Sequence, residues 1–120
     1  MKGLINKTRK FRLSRSIVFR KNFFSQGTGL TLRPKKVVSE CAWIFVFSRP
    51  RRVSLTMALV LFPIDVIFLD SKKKVVEIKK DFRPWQLYFP KLPCSYVIEL
   101  KDGLIEKSST HVGDQLNFDE

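Results

Sequence analysis

The sequence predicts a single mainly-β domain, a small β-sandwich or partly open barrel with one or two short helices. Three observations lead there. Apolar runs of roughly five to ten residues recur at near-regular spacing, Pro, Gly and Asp/Ser turn chemistry separates them, and no long amphipathic helix precedes or interrupts them. A chain of 120 residues makes one domain, and a chain of that length buries roughly two thirds of the surface its unfolded form exposes, enough for a core without metals or disulfides. With 44% apolar residues and 11 Phe, the chain is not disordered, and 5 Gly and 6 Pro without a period exclude collagen-like and low-complexity classes.

From Cys41 onward the elements follow in order. Cys41 to Phe47 is a continuous apolar run closed by Ser48-Arg49-Pro50-Arg51-Arg52, which predicts a strand covered on both faces and then a turn. Val53 to Phe62 and Ile64 to Leu69 read as two adjacent buried strands, bent where Pro63 withholds a ladder donor. The stretch from Val53 to Leu69 is too short to cross a bilayer comfortably, and it contains Pro63 and Asp65. Asp70-Ser71-Lys72-Lys73 is a hairpin turn, after which Val75, Val76 and Ile78 resume an apolar pattern with Glu77 and Lys79 facing out. Tyr96, Ile98 and Leu100 alternate with Val97 and Glu99. Lys101-Asp102-Gly103 turns the chain, Leu104 to Ser108 suits one helical turn, and Leu116 and Phe118 are spaced as in a closing strand. Before Cys41, Phe23, Phe24 and Gly27 suggest at most a short helical piece.

Charge divides the chain. Residues 1–52 carry 14 Lys+Arg and one acid, Glu40, whereas residues 53–120 carry 9 basic and 10 acidic residues, so the whole +12 resides in the first half. Residues 1–10 bury little by pattern, and residues 1–14 are expected as a basic, partly flexible segment ahead of a domain at 15–120. Its start, Met1-Lys2-Gly3-Leu4-Ile5-Asn6-Lys7, has no apolar core of a signal peptide. Cys41 and Cys94 are too few for a disulfide framework or a zinc site, and Cys41, inside an apolar run, is expected to be inert with a raised pKa. A cytoplasmic protein is expected, with no membrane partner and no cofactor or metal.

Several fragments occur together in a recognisable order: Gly29-Leu30-Thr31-Leu32-Arg33, Phe45-Val46-Phe47, Ser54-Leu55-Thr56-Met57, Phe62-Pro63-Ile64-Asp65 through Asp70, Tyr96-Val97-Ile98-Glu99-Leu100-Lys101-Asp102-Gly103 and Val112-Gly113-Asp114. In combination they resemble domain-of-unknown-function family 192 over about residues 15 to 118. Lys74-Val75-Val76-Glu77-Ile78 and Pro84-Trp85 are similar to its archaeal branch. The resemblance implies a jelly-roll-like sandwich without an assigned activity. This chain departs from the family where Trp-Met-Lys-Asn-Thr is frequent: Thr56, Met57, Ala58, Leu59 and Val60 stand there, so a polar site built on Lys, Asn and Thr is absent or altered. Thr31 likewise replaces a Met.

The candidate site centres on Asp65, a carboxyl group between Ile64 and Val66 that needs main-chain donors or a cation such as Arg33, whose bidentate guanidinium suits it. Read functionally, Arg33, Met57 and Asp65 line a cleft for a small ligand or protein partner, with Trp85 and Tyr88 of the proline-rich crossover as a platform; read structurally, Asp65 caps a bend and the rings cover a sheet edge. The alternative is nucleic-acid contact through Lys7, Arg9, Lys10, Arg12, Arg15, Arg20 and Lys21, interleaved with Phe11, Phe19, Phe23 and Phe24. His111 stands alone, and the chain has no phosphate loop, carboxylate pair or nucleophile elbow, so nothing supports an enzyme.

Overall fold

The long apolar runs become strands of one central sheet, and the alternation of side chains along them decides what lies on each face. The computed structural model describes residues 3–20, 41–52, 55–56, 62–83 and 86–119. Among these the strands are β1 (Leu4–Asn6), β2 (Phe11–Ser14), β3 (Ser16–Arg20), β4 (Cys41–Arg51), β5 (Leu55–Thr56), β6 (Ile64–Leu69), β7 (Val75–Phe82), β8 (Leu87–Tyr88), β9 (Cys94–Lys101) and β10 (Leu116–Asn117). A short helix, α1 (Leu104–Ser108), lies between the last two. The fold is mainly β with a small helix. The expected helical piece near Phe23 lies outside the described residues.

The central sheet has the order β3-β4-β9-β6-β7, with β3 and β7 as its edges among the described strands, and is accompanied by a sheet of order β10-β1-β2 and a ribbon of β5 and β8. Its pairs are antiparallel except β3 with β4. On one face Trp43, Phe45, Phe47, Ile64, Val66, Phe68, Phe82, Cys94 and Val97 form one core. The intervening residues Ala42, Ile44, Ile67, Leu69, Ile98 and Leu100 point the other way and join Leu4, Leu13, Ile105, Leu116 and Phe118 in a second. Because both faces are covered, β4 and β6 read as unbroken apolar runs rather than as alternation.

Four sequence expectations change. The Ser48–Arg52 turn is instead a continuation of β4 through Pro50 to Arg51, with a register shift between Val46 and Arg51 that accommodates a residue lacking an N–H. The two segments flanking Pro63 do not pair: β5 pairs with β8, while β6 lies between β9 and β7. Glu77 and Lys79 do not face open water, since Tyr88 covers both. The N-terminal residues do not stay outside the packing, for Leu4 is 0% exposed and β1 lies between β10 and β2.

The Asp70 turn forms as expected. Lys73 N–H donates to the Asp70 carbonyl at 3.0 Å, and Asp70 Oδ1 accepts from the amides of Lys72 and Lys74 at 2.9 Å each. No described helix is long and apolar enough to cross a membrane.

Candidate functional site

The chain leaves the small sheet for the central one at the corner Ser14-Arg15-Ser16, and this corner builds an open concavity. Ser14 Oγ donates to the Ser16 carbonyl at 2.8 Å and holds the bend. Gly3 backs it at φ +92°, where a Cβ would lie 2.1 Å from the Ser14 carbonyl oxygen, so only glycine allows β1 this close. Arg12, Leu13, Ser14, Arg15 and Ser16 then face Lys101, at the end of β9, and Leu104 across an open cleft of about 600 Å³. Among the described residues no acidic side chain lines it, and Arg12, Arg15 and Lys101 have no salt bridge. The positive field of such a cleft suits an anion.

The other basic candidates are dispersed. Lys7 and Lys10 are exposed on the β1–β2 turn, Arg20 ends β3, and Lys21 lies outside the described residues. Arg9 is already engaged: its Nε and Nη2 donate to Asp114 Oδ2 and Oδ1 at 3.0 and 3.2 Å. Asp114 also accepts from Asn6 Nδ2 and from the His111 amide, each at 3.0 Å. Desolvation works to raise the Asp114 carboxyl, but Arg9, Asn6 and the His111 amide outweigh it and hold its pKa below the ordinary value. Asn6 Nδ2 donates further to Thr110 Oγ1 at 3.0 Å, so this buried network ties β1 to the chain's last turn. His111 lies beside it, its Nδ1 2.6 Å from the Ser109 carbonyl.

Asp65 is 1% exposed and lies on the face of β6 that carries α1. Its Oδ1 accepts from the Asp81 amide at 3.0 Å, and its Oδ2 from the Ile105 amide at 2.9 Å. Asp81 has φ 50°, in a stretch where Lys80 and Asp81 together oppose Asp65, so the carboxyl group fills a bulge in β7 and receives the first turn of α1. Arg33, Met57 and Trp85 lie outside the described residues, and with them the Arg33–Asp65 pair. Tyr88 covers the sheet edge. Its hydroxyl donates to Glu77 Oε2, and its ring is 5.8 Å from that of Phe68 and 6.2 Å from that of Phe82. Burial first, then the Glu77 carboxylate, pushes the Tyr88 hydroxyl up to about 12.

Two further ionisable groups are enclosed: Glu99, which the sequence reading does not single out, and Cys94, which it takes together with Cys41 as an ordinary buried thiol. Glu99 stands in register between Trp43 and Val66 on the aromatic face, and desolvation pushes its carboxyl up to about 8. Cys94, rather than the half-buried Cys41, is the enclosed thiol, pushed up to about 11 chiefly by burial. Lys101 was also missed, because only the folded chain brings the end of β9 beside Arg12. The alternation that placed Glu99 opposite Ile98 was the signal available for the first. Among the described residues, no three His, Cys, Asp or Glu side chains are grouped to hold a metal ion.

A family model described as "Uncharacterized ACR", domain-of-unknown-function family 192, matches residues 5–118. The chain belongs to this family. Among family 192 relatives, a UPF0127 protein of Thermococcus sibiricus is 35% identical over 97% of this chain and 74% of its own length. A UPF0127 protein of Pyrococcus furiosus is 33% identical over 96% of this chain and 97% of its own. Both sources are archaeal. Two crystal structures share the fold. A protein of unknown function from Novosphingobium aromaticivorans superposes with a TM-score of 0.83 at 21% identity, covering 96% of this chain and 82% of that one. One from Sinorhizobium meliloti, provisionally named a transcription regulator, gives 0.80 at 22% identity, covering 95% and 88%.

Proposed function

We propose that this family 192 protein is a non-catalytic module that binds the phosphate backbone of a single-stranded nucleic acid in the cleft of Arg12, Arg15 and Lys101. One observation carries this reading: three cations line a single open cleft, and among the described residues no acidic side chain joins its walls. Guanidinium groups suit phosphate oxygens through paired N–H donors, and Lys101 adds a point charge at the opposite wall. Phe11 and Phe19, half-buried on the strands that flank the corner, pack into the core rather than standing free as stacking platforms. Recognition at the cleft is therefore of backbone rather than of bases.

The rival site, a small-ligand cleft around Arg33 and Asp65, draws no support from Asp65, whose two oxygens already have main-chain donors. A cytoplasmic setting belongs to the same proposal, supported by the unpaired thiol of Cys94 in a fully buried position.

Anisotropy titration of a labelled single-stranded oligonucleotide across a salt series tests the proposal. Affinity is expected to fall linearly on a log–log plot, and each of Arg12→Gln, Arg15→Gln and Lys101→Gln to weaken binding and reduce the slope by about 1. A triple variant that binds as the natural chain does would overturn it.

A further inference from the structure

The opposite end of the sheet has a different chemistry. There β4 runs out through Arg49, Pro50 and Arg51 to Arg52, and the crossover from β8 to β9 folds against it: Arg52 Nε donates to the Pro90 carbonyl at 3.2 Å, and Cys94 is in register with Arg51. The Lys91 amide anchors the crossover from its other side by donating to Glu77 Oε1 at 2.9 Å. With the main chain so held, β8 and the crossover present apolar side chains to solvent: Leu87 is 63%, Phe89 64% and Leu92 48% exposed. They are the large apolar residues, Val112 apart, that the described surface leaves open. Three of them on one short stretch of chain form a feature that a free, soluble surface does not need.

Positive charge predominates around them. Arg49, Arg52 and Lys91 are exposed beside the apolar residues. Residues 82–98 contain no Asp or Glu. Of the described acids at this end, Asp70, next to the β6 residue in register with Tyr96, accepts from the Lys72 and Lys74 amides, and Glu77 is taken up by the Tyr88 hydroxyl and the Lys91 amide.

We propose that this end of the sheet docks on an anionic lipid surface, with Leu87, Phe89 and Leu92 entering the acyl boundary and Arg49, Arg52 and Lys91 meeting the headgroup phosphates. Aliphatic side chains flanked by cations match the two layers of such a surface, apolar beneath and negative above. A nucleic acid would be better served by flat rings, and two of the three exposed residues are leucines. The docking is peripheral, and its surface is separate from the Arg12 cleft, which lies at the other end of β9.

Co-sedimentation of the full chain with vesicles tests it, using phosphatidylglycerol–phosphatidylcholine mixtures and pure phosphatidylcholine. The natural chain is expected to bind the anionic vesicles at least tenfold more tightly than the neutral ones, with binding weakened by salt. Leu87→Ser with Phe89→Ser, and separately Arg49→Gln with Lys91→Gln, are each expected to lose at least tenfold. All these side chains are exposed, and an unchanged thermal melt verifies that the variants fold. Arg12→Gln with Arg15→Gln is expected to leave vesicle binding intact, which separates this surface from the nucleic-acid proposal. Equal binding to both vesicle types, no binding to either, or loss of oligonucleotide rather than vesicle binding in the crossover variants would overturn the inference.

Discussion

A carboxyl group in the middle of an apolar strand has to find donors, and Asp65 finds them in the main chain of two other elements. Both partners, the amides of Asp81 and Ile105, are donors. Asp65→Asn offers one carbonyl oxygen and one NH₂ group, so one buried amide would face another donor. The expected cost is about 2 kcal/mol, read as a lowered urea midpoint, and an unchanged midpoint would show that α1 and the β7 bulge do not depend on this side chain. Glu99 behaves in the opposite way, standing on the aromatic face with no ion pair among the described residues. Its folded pKa of about 8 lies above the ordinary 4.5, so the unfolded chain releases the proton first as pH rises. Stability is then full below about pH 4.5 and declines toward pH 8. Glu99→Gln removes that decline and is expected to raise stability at pH 8 by on the order of 1 kcal/mol, allowing for its partial exposure, with little change at pH 4. Melting temperatures at the two pH values check this, and an equal shift at both would exclude desolvation of Glu99 as its origin. The sequence showed that Asp65 needed neutralising and offered both answers, a cation or a bent main chain. It could not choose between them, because the amide donors come from residues 16 and 40 positions away.

At the scale of elements, the Arg9–Asp114–Asn6 network fastens the first hairpin to the last turn of the chain. Its depressed Asp114 pKa means that the stabilisation is present above the ordinary value of 3.8 and is lost as pH falls below it. Asp114→Asn is expected to cost about 3 kcal/mol at pH 7, because it leaves Arg9 and the buried Asn6 short of an acceptor. The variant should also flatten the acid limb of a stability-against-pH curve. Chemical unfolding at pH 7 and pH 3 measures both effects, and a cost that persists undiminished at pH 3 would show that packing, not charge, is responsible. Elements bounded by local chemistry were legible: the Asp70 turn, the one-turn helix at Leu104 and the alternation of β9 all depend on neighbours in sequence. β4 outran its predicted end because a bulge can house Pro50, and β5 found β8 instead of β6 because pairing is decided by the whole sheet. The cleft at Arg12 and Arg15 was partly legible as basic residues on short strands, but Lys101 belongs to it only through the crossing of β9.

For the whole molecule, the asymmetry of charge is a property of surface rather than of domain organisation. The basic N-terminal residues are not an arm laid beside a finished sandwich, for their apolar members complete it: Leu4 and Leu13 share a core with Ile98, Leu116 and Phe118. Gly3 adds a close approach to Ser14 that fixes how β1 enters. A chain lacking residues 1–10 would lose the middle strand of the β10-β1-β2 sheet, open the core beside Leu13 and Phe118, and leave Asp114 buried without Arg9 or Asn6. Removing a strand that buries Leu4 and Ile5, together with the partners of a buried carboxyl, costs roughly 6–11 kcal/mol, comparable with the roughly 5–15 kcal/mol by which a small domain is stable. The truncated chain is therefore expected to show no cooperative thermal transition by circular dichroism and no chemical-shift dispersion. A sharp melt within a few degrees of the full chain would mean that the core closes without β1, and that the positive charge concentrated in the first residues is carried by a dispensable arm after all.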